Sequence, residues 1–379
     1  MWRIPFNKPF IVGKELHNVA QAVSLGNIAA DGHFTRKCAE FLERHSGAQR
    51  VLMTPSCTAS LEIAAQLCEV GPGDEVILPS YTFVSTASSF ARFGAKPVFI
   101  DIRPDTLNLD ETRLESAITE RTKAIFAVHY AGVACEMDTI MALAATRGIR
   151  VVEDAAQGVN ATYKGRILGG IGHLGTYSFH ETKNFTCGEG GALCVNDPAF
   201  IPRSEILRDK GTNRQAFNRG ETDRYTWVDL GSSYIPSELS CAFLYAQLEQ
   251  MEAITRRRQE IYERYQRGLE PLEAAGLLRL PRVPDDCKIN YHMFYVLLPD
   301  TATRTALIAH LKEHGILTVF HYVPLHLSPM GRSYGYEPGA LPVTEDLSAR
   351  LLRLPFYFEL DAVRQDEVID RIRRFLGGS

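Results

Sequence analysis

Lys183 sits in SFHETKNFTCGEGG (178–191), a Gly-rich turn that directly follows a strand-like run. Most lysines are solvated surface charges. A lysine held in a rigid loop with a depressed pKa can instead form a Schiff base. The neighbouring glycines permit close backbone approach to a flat ring. Asp154 and Gln157 lie in VVEDAAQ (151–157), where a strand ends on the aspartate. A carboxylate buried there is costly unless it caps, joins an ion pair or meets a cation such as a protonated pyridine nitrogen. PSCTAS (55–60) puts small hydroxyl residues at the start of a helix. The N–H groups of such an end are satisfied by a Ser or Thr cap or cradle a phosphate. SYTF (80–83) places Phe83 after another strand, to stack on a ring or to join the core.

These pieces need a scaffold that brings them together. From about residue 50 to 210, strand and helix signals alternate. Short apolar runs at 74–80, 96–101, 123–129 and 150–155 read as buried strands, and GTYSF and GALCVN as further short ones. Helical spacing covers 58–70, a stretch ending near Phe93, 110–119 with Asp110 as N-cap, and MDTIMALAATRG. That alternation predicts an α/β fold with a mostly parallel sheet covered by helices on both faces. Ligands in such sheets sit outside the carboxyl ends of the strands. A long amphipathic helix is predicted from about Ser237 to about Arg267, with Gly268 and Pro271 marking its end. Its RRRQE run reads as a solvated face. The division expected is 1–245, an N-terminal arm and large domain, and 246–379, a linking helix and a smaller C-terminal α/β domain.

Composition narrows the function. The chain has 379 residues, 45% hydrophobic and 23% charged, with formal charge −4, ordinary for a globular protein. No basic excess supports a nucleic-acid partner, and no apolar run predicts a membrane span. The N-terminus lacks a secretory pattern. The eight cysteines are scattered without a CxxC pair, which fits reduced thiols and a cytoplasmic setting. Three motifs are set aside. Gly170, Gly172 and Gly175 spell GxGxxG but precede a strand rather than open a helix, so turn chemistry is expected. His310, Glu313 and His314 spell HxxEH on a helix that ends at Gly315, with no distal ligand, so no metal is expected. Asn160 and Asn184 match glycosylation acceptors that a cytoplasmic chain would not use.

The order is phosphate cradle, stacking aromatic, strand-end aspartate, then a lysine roughly thirty residues on; this is the layout of a fold-type I pyridoxal-phosphate enzyme. The chain resembles the DegT/DnrJ/StrS sugar aminotransferases over nearly its whole length. The resemblance is carried by GNIAADGHFTRKC, TPSCTASLE, PSYTFVSTA, VHYAGVACEMD, VVEDAAQGV, SFHETKN, KGTNR and FHYVPLH. It implies that Lys183 holds pyridoxal 5'-phosphate (PLP) as a Schiff base and shuttles the proton. It also implies that Asp154 pairs with the ring nitrogen, Gln157 with the ring hydroxyl, and Phe83 with the ring face. Cys57, Thr58 and Ser178 would hold the phosphate. Asn213 of KGTNR would reach the phosphate of a partner subunit, placing the active site at a homodimer interface. His321, Tyr322 and His326 are either substrate contacts or core.

Within the family, the resemblance implies transfer of the amino group of L-glutamate to the 4-keto carbon of dTDP-4-keto-6-deoxy-D-glucose. The products would be dTDP-4-amino-4,6-dideoxy-D-galactose and 2-oxoglutarate, for a surface polysaccharide such as enterobacterial common antigen. Another nucleotide keto-sugar, a dehydratase or a non-catalytic PLP-binding protein are the alternatives. Retention of Lys183 argues against the dehydratases, which carry histidine there. Two departures stand out: Cys57 replaces a usual glycine, and GSSYIP (231–236) replaces a usual GYNYR.

Overall fold

The fold is described here from a computed structural model covering residues 2–377. A seven-stranded sheet is built from β1 (Arg50–Thr54), β2 (Glu75–Pro79), β3 (Lys96–Ile100), β4 (Thr122–Val128), β5 (Arg150–Asp154), β6 (Leu174–Ser178) and β7 (Gly191–Val195). Their spatial order is β1-β7-β6-β5-β4-β2-β3. The run from β3 through β6 is parallel, while β7 lies antiparallel between β1 and β6. The parallel strands read as apolar runs because helices cover both faces; all five residues of β2 are buried. Because the crossovers return these strands in the same direction, the ends of β1, β2, β4, β5 and β6 converge on one edge. The sheet is thus an α/β scaffold that presents Thr54, Pro79, Val128, Asp154 and Ser178 along that edge.

Tyr295–Leu297 and Leu351–Arg353 form a second, two-stranded sheet. The helices Met251–Ala274 and Ala362–Gly377 pack over it around Tyr265, Phe294, Leu307, Val368 and Ile372. The first residues of the chain belong to this cluster too: Ile4 is fully buried in it, and Arg3 and Ile4 N–H donate to Gly315 O.

Two predicted helices change. Residues 110–119 form only a 3-10 turn, Glu111–Arg113, and the four-residue helix Leu114–Ala117. Asp110 does cap, accepting from Thr112 N–H at 3.1 Å. Thr119 ends the segment by donating to Glu75 (2.6 Å) and turning the chain into β4. The long helix is two helices, Glu238–Glu249 and Met251–Ala274, broken at Gln250. The second runs through both residues expected to stop it. Gly268 is a crossing point: a Cβ there would lie 2.6 Å from Ile369 Cδ1. Pro271 follows within the last turn, where its missing N–H removes one intrahelical bond without ending the helix.

The GxGxxG glycines are a packing device. A Cβ on Gly170 would lie 2.4 Å from Ser46 O, and one on Gly175 2.1 Å from Gly169 O. His314 Nδ1 and His310 O are 2.8 Å apart within one helix, and among the described residues no His/Cys/Asp/Glu group is arranged to hold a metal. Asn184 is buried, donating to Asn290 O. Among the described residues no helix is long and apolar enough to cross a membrane.

Candidate active site

The converging strand ends open into a cavity of about 540 Å³. It is lined by Cys57, Thr58, Phe83, Asp154, Gln157, Ser178, Lys183, His321 and Tyr322 among the residues singled out from sequence.

The helix Cys57–Leu67 begins at the end of β1. Ser56 caps it, its Oγ accepting from Ala59 N–H at 3.2 Å. The first intrahelical bond is Ser60 N–H to Ser56 O. The amides of Cys57 and Thr58 therefore precede the hydrogen-bond ladder and point out of the positive helix end. The close approach here is supplied from across the sheet. A Cβ on Gly191 would lie 2.4 Å from Ser56 C and 2.5 Å from Cys57 N. Cys57 itself keeps a right-handed φ and is absent from the strained positions, so its side chain is accommodated. Burial raises its thiol pKa, and the Asp154 charge adds to that, keeping the thiol protonated. Thr58 Oγ1 donates to Ser85 Oγ at 2.8 Å. Ser178, at the end of β6, is buried beside them.

Asp154 is 5% exposed. One oxygen accepts from Thr86 Oγ1 at 2.7 Å and the other from Ala156 N–H at 3.1 Å. Two donors leave carboxylate lone pairs free, on the side that faces the cavity. Thr86 in turn pairs with Thr82 at 2.8 Å. Gln157 is fixed at both ends of its amide: Oε1 accepts from Ala131 N–H at 2.7 Å, and Nε2 donates to Tyr322 OH at 2.9 Å. One N–H of that amide remains free. Phe83 also lines the cavity; it is 57% exposed, with its ring 6.2 Å from that of Tyr322.

Lys183 is half-buried in the same cavity. Desolvation lowers its pKa from the ordinary lysine value; the Arg353 charge lowers it further, and Asp154 opposes both. His292 and His321, neighbours in the cavity, are driven well below the usual imidazole value by burial and by surrounding cations. His321 Nδ1 lies 2.8 Å from Tyr130 OH, and its ring stacks on Tyr322 at 3.6 Å between centroids.

Two predicted residues lie elsewhere. His326 is fully buried outside the cavity lining, with Nδ1 2.7 Å from Ser80 Oγ and Nε2 3.0 Å from Glu345. Both ring nitrogens are used, so of the two readings of His326 the geometry matches core packing. Asn213 is outside the lining as well; its amide bonds Thr226 N–H and Arg224 O in its own loop. Residues not foreseen are Thr86, His292, Arg353 and, from the N-terminal arm, Phe6 and Asn7. Thr86 stands three residues after Phe83, a helical spacing that signals a shared face. The other four come from segments with no motif.

A helix end with free amides, an aspartate with unused acceptor capacity and a lysine of lowered pKa fit the phosphate, ring nitrogen and aldehyde of PLP.

The model of the DegT/DnrJ/EryC1/StrS aminotransferase family matches residues 9–373. The spore coat polysaccharide biosynthesis protein SpsC of Bacillus subtilis is 35% identical, with 99% of this chain and 98% of that one aligned. Among solved structures, the aminotransferase TlmJ of Streptoalloteichus hindustanus superposes with TM-score 0.90 at 32% identity, covering 99% of each chain. The PLP form of Spr1654 from Streptococcus pneumoniae superposes with TM-score 0.91 at 27% identity, covering 99% of this chain and 98% of that one. The chain belongs to the DegT/DnrJ/EryC1/StrS family of PLP-dependent sugar aminotransferases.

Proposed function

We propose that this enzyme transfers the amino group of L-glutamate to the 4-keto carbon of dTDP-4-keto-6-deoxy-D-glucose, giving dTDP-4-amino-4,6-dideoxy-D-galactose and 2-oxoglutarate. The observation that carries the chemistry is the meeting of Lys183 and Asp154 in one cavity at the strand ends. When bound, PLP supplies an electron sink for the carbon that loses or gains a proton. The chain's residues do the rest. Lys183 holds the cofactor covalently and moves the proton at Nζ; desolvation lowers its pKa, which favours the neutral, basic amine. Asp154, oriented by Thr86, keeps the ring nitrogen protonated. Gln157 donates its free N–H to the ring hydroxyl, and Phe83 covers the ring face. The amides of Cys57 and Thr58, with the hydroxyls of Thr58 and Ser178, hold the phosphate.

The reading extends to a cytoplasmic homodimer. Supporting it, the loop that carries Asn213 also exposes Tyr225, Trp227, Val228 and Leu230, with Trp227 and Leu230 both 72% accessible. A patch of that kind marks an interface, and a partner's Asn213 would then complete the phosphate site. Destination in a surface polysaccharide, enterobacterial common antigen being the expected case, is supported by the likeness to SpsC.

The test has two arms. Borohydride reduction of the PLP-loaded enzyme, followed by peptide mapping, should mark Lys183; a label elsewhere or none overturns the assignment. Incubation with PLP, L-glutamate and dTDP-4-keto-6-deoxy-D-glucose should yield the galacto-configured 4-amino sugar by NMR. Amination of a 3-keto sugar only, or the gluco product, overturns the substrate reading while leaving the aminotransferase intact.

A further inference from the structure

Arg353 ends the strand Leu351–Arg353 and lines the same cavity. Its guanidinium lies over the Phe6 ring, 4.7 Å from the centroid. Its Nε is buried with no hydrogen-bond partner. Nη2 reaches only Phe320 O, at a long 3.5 Å. The groups that favour its charge are the phenols of Tyr130, Tyr322 and Tyr81, not a carboxylate. An arginine in such a place stays charged, and a desolvated cation without a counter-ion is costly. The missing anion must arrive with a ligand.

Three anions enter a site of this kind. The PLP phosphate has its own cradle at Cys57, Thr58 and Ser178. That cradle is built from the start of the helix Cys57–Leu67 and the end of β6, whereas Arg353 enters the cavity from the two-stranded sheet, stacked on Phe6 of the N-terminal arm. A nucleotide diphosphate is held away from the reacting centre by the whole sugar ring. An amino acid instead carries its carboxylate on the very carbon whose proton Lys183 must move. The two carboxylates of the cavity offer no competition: Asp154 faces the ring nitrogen, and Glu189 is 69% exposed at the rim beside His180.

We propose that Arg353 binds a carboxylate of the amino donor and so makes an amino acid, rather than a simple amine, the donor. This rests on the aminotransferase reading above. The planar guanidinium suits a carboxylate in two-point contact, and Phe6 underneath fixes its plane.

The probe is glutarate, which has the donor's carboxylates but no amine to react. Calorimetric titration of PLP-loaded wild type, Arg353→Gln and Arg353→Lys should show glutarate binding weakened roughly thirtyfold or more in Arg353→Gln and partly retained in Arg353→Lys. Binding of dTDP should be equal in all three. KM for L-glutamate should rise in step with the loss of glutarate binding. Equal glutarate binding in wild type and Arg353→Gln overturns the proposal, as does a loss that falls on dTDP and assigns Arg353 to the diphosphate. Failure of the aminotransferase reading looks different: wild type would bind glutarate through Arg353 yet transfer no amino group. Arg353→Lys keeps the charge, so wild-type thermal stability in that variant with weakened glutarate binding separates recognition from folding.

Discussion

Glu153 and Asp154 are consecutive, both buried, and on opposite faces of one strand, yet they are built for different purposes. The four lone-pair sites of Glu153 are all engaged. Oε2 meets His129 Nε2 at 2.9 Å and Gly169 N–H at 2.8 Å; Oε1 accepts from Ile171 and Gly172 N–H, both at 2.6 Å. His129 Nδ1 accepts from Cys135 N–H at 3.1 Å, so Nε2 carries the proton and donates it to the carboxylate. The glycine loop that spells a dinucleotide fingerprint thus wraps a protein carboxylate instead of a phosphate. Asp154 has two donors and an open side. Burial is common to both; unused acceptor capacity toward a cavity is what distinguishes the working group from the structural one.

Exchanging each carboxylate for its amide tests this division. Asp154→Asn keeps an oxygen for Thr86 and Ala156 but loses the charge that would hold the ring nitrogen protonated. Amino transfer should fall roughly a hundred- to a thousandfold, with little change in the unfolding midpoint. Glu153→Gln should do the reverse. Its NH₂ turns toward backbone N–H donors and leaves at least one buried donor unpaired, a loss of about 2–4 kcal/mol in denaturant unfolding. Turnover per folded molecule should stay within about threefold of wild type. If Glu153→Gln lost activity without losing stability, the two faces of the strand would not be separate.

The same pair differs in what each does to Lys183. Capture of PLP by apoenzyme needs the neutral amine, whose fraction grows as pH rises through the lysine pKa. That pKa is already lowered by desolvation, and Asp154 raises it. Removing the Asp154 charge therefore lowers it further, so the pH profile of capture should move to lower pH in Asp154→Asn. Glu153, not among the groups acting on Lys183, should leave the profile in place when changed to Gln. A shift to higher pH in Asp154→Asn contradicts the assigned electrostatics.

Much of this was legible in the residue order. Apolar runs bounded by turn residues located six of the seven sheet strands, the edge strand Arg50–Thr54 being missed, and the pieces carrying Phe83, Asp154 and Lys183 were each read at or after a strand end, which places them at the ligand-binding edge. What the sequence hid was long-range. Gly268 reads as a stop signal because its need for Ile369, from the far end of the chain, has no local trace. His326 sits in a family segment with His321 and Tyr322, but Ser80 and Glu345 draw it into the interior. Arg353 is one more residue of a short strand until the fold sets its guanidinium in the cavity wall. Thr86 was within reach: an i, i+3 partner of Phe83 on a helix that opens at the site.

Thr86 extends the comparison one bond outward, because its hydroxyl is what orients Asp154. Thr86→Val keeps the shape and removes the donor to Asp154 and the pairing with Thr82. The turnover number should fall about tenfold, the value of one buried hydrogen bond to a charged group. If stability falls by that free energy and turnover is unchanged, Thr86 belongs with the structural face of the strand.

The smallest effect is expected at Cys57, where a glycine is usual. A glycine at a phosphate-binding turn is needed when the backbone must take a positive φ or approach another chain segment closely. Neither holds at Cys57: its φ is right-handed, and the close approach belongs to Gly191. The thiol is buried and held protonated, so it adds no charge beside the phosphate. Cys57→Gly should therefore cost only about 0.5–1 kcal/mol of stability, from backbone freedom in the unfolded chain. PLP affinity, measured by titrating apoenzyme, should change less than about threefold, because the amide at 57 survives the exchange and the thiol contributes no charge. A tenfold change in affinity would move the side chain of residue 57 from packing to cofactor binding, and would show that this cradle works differently from one built on glycine.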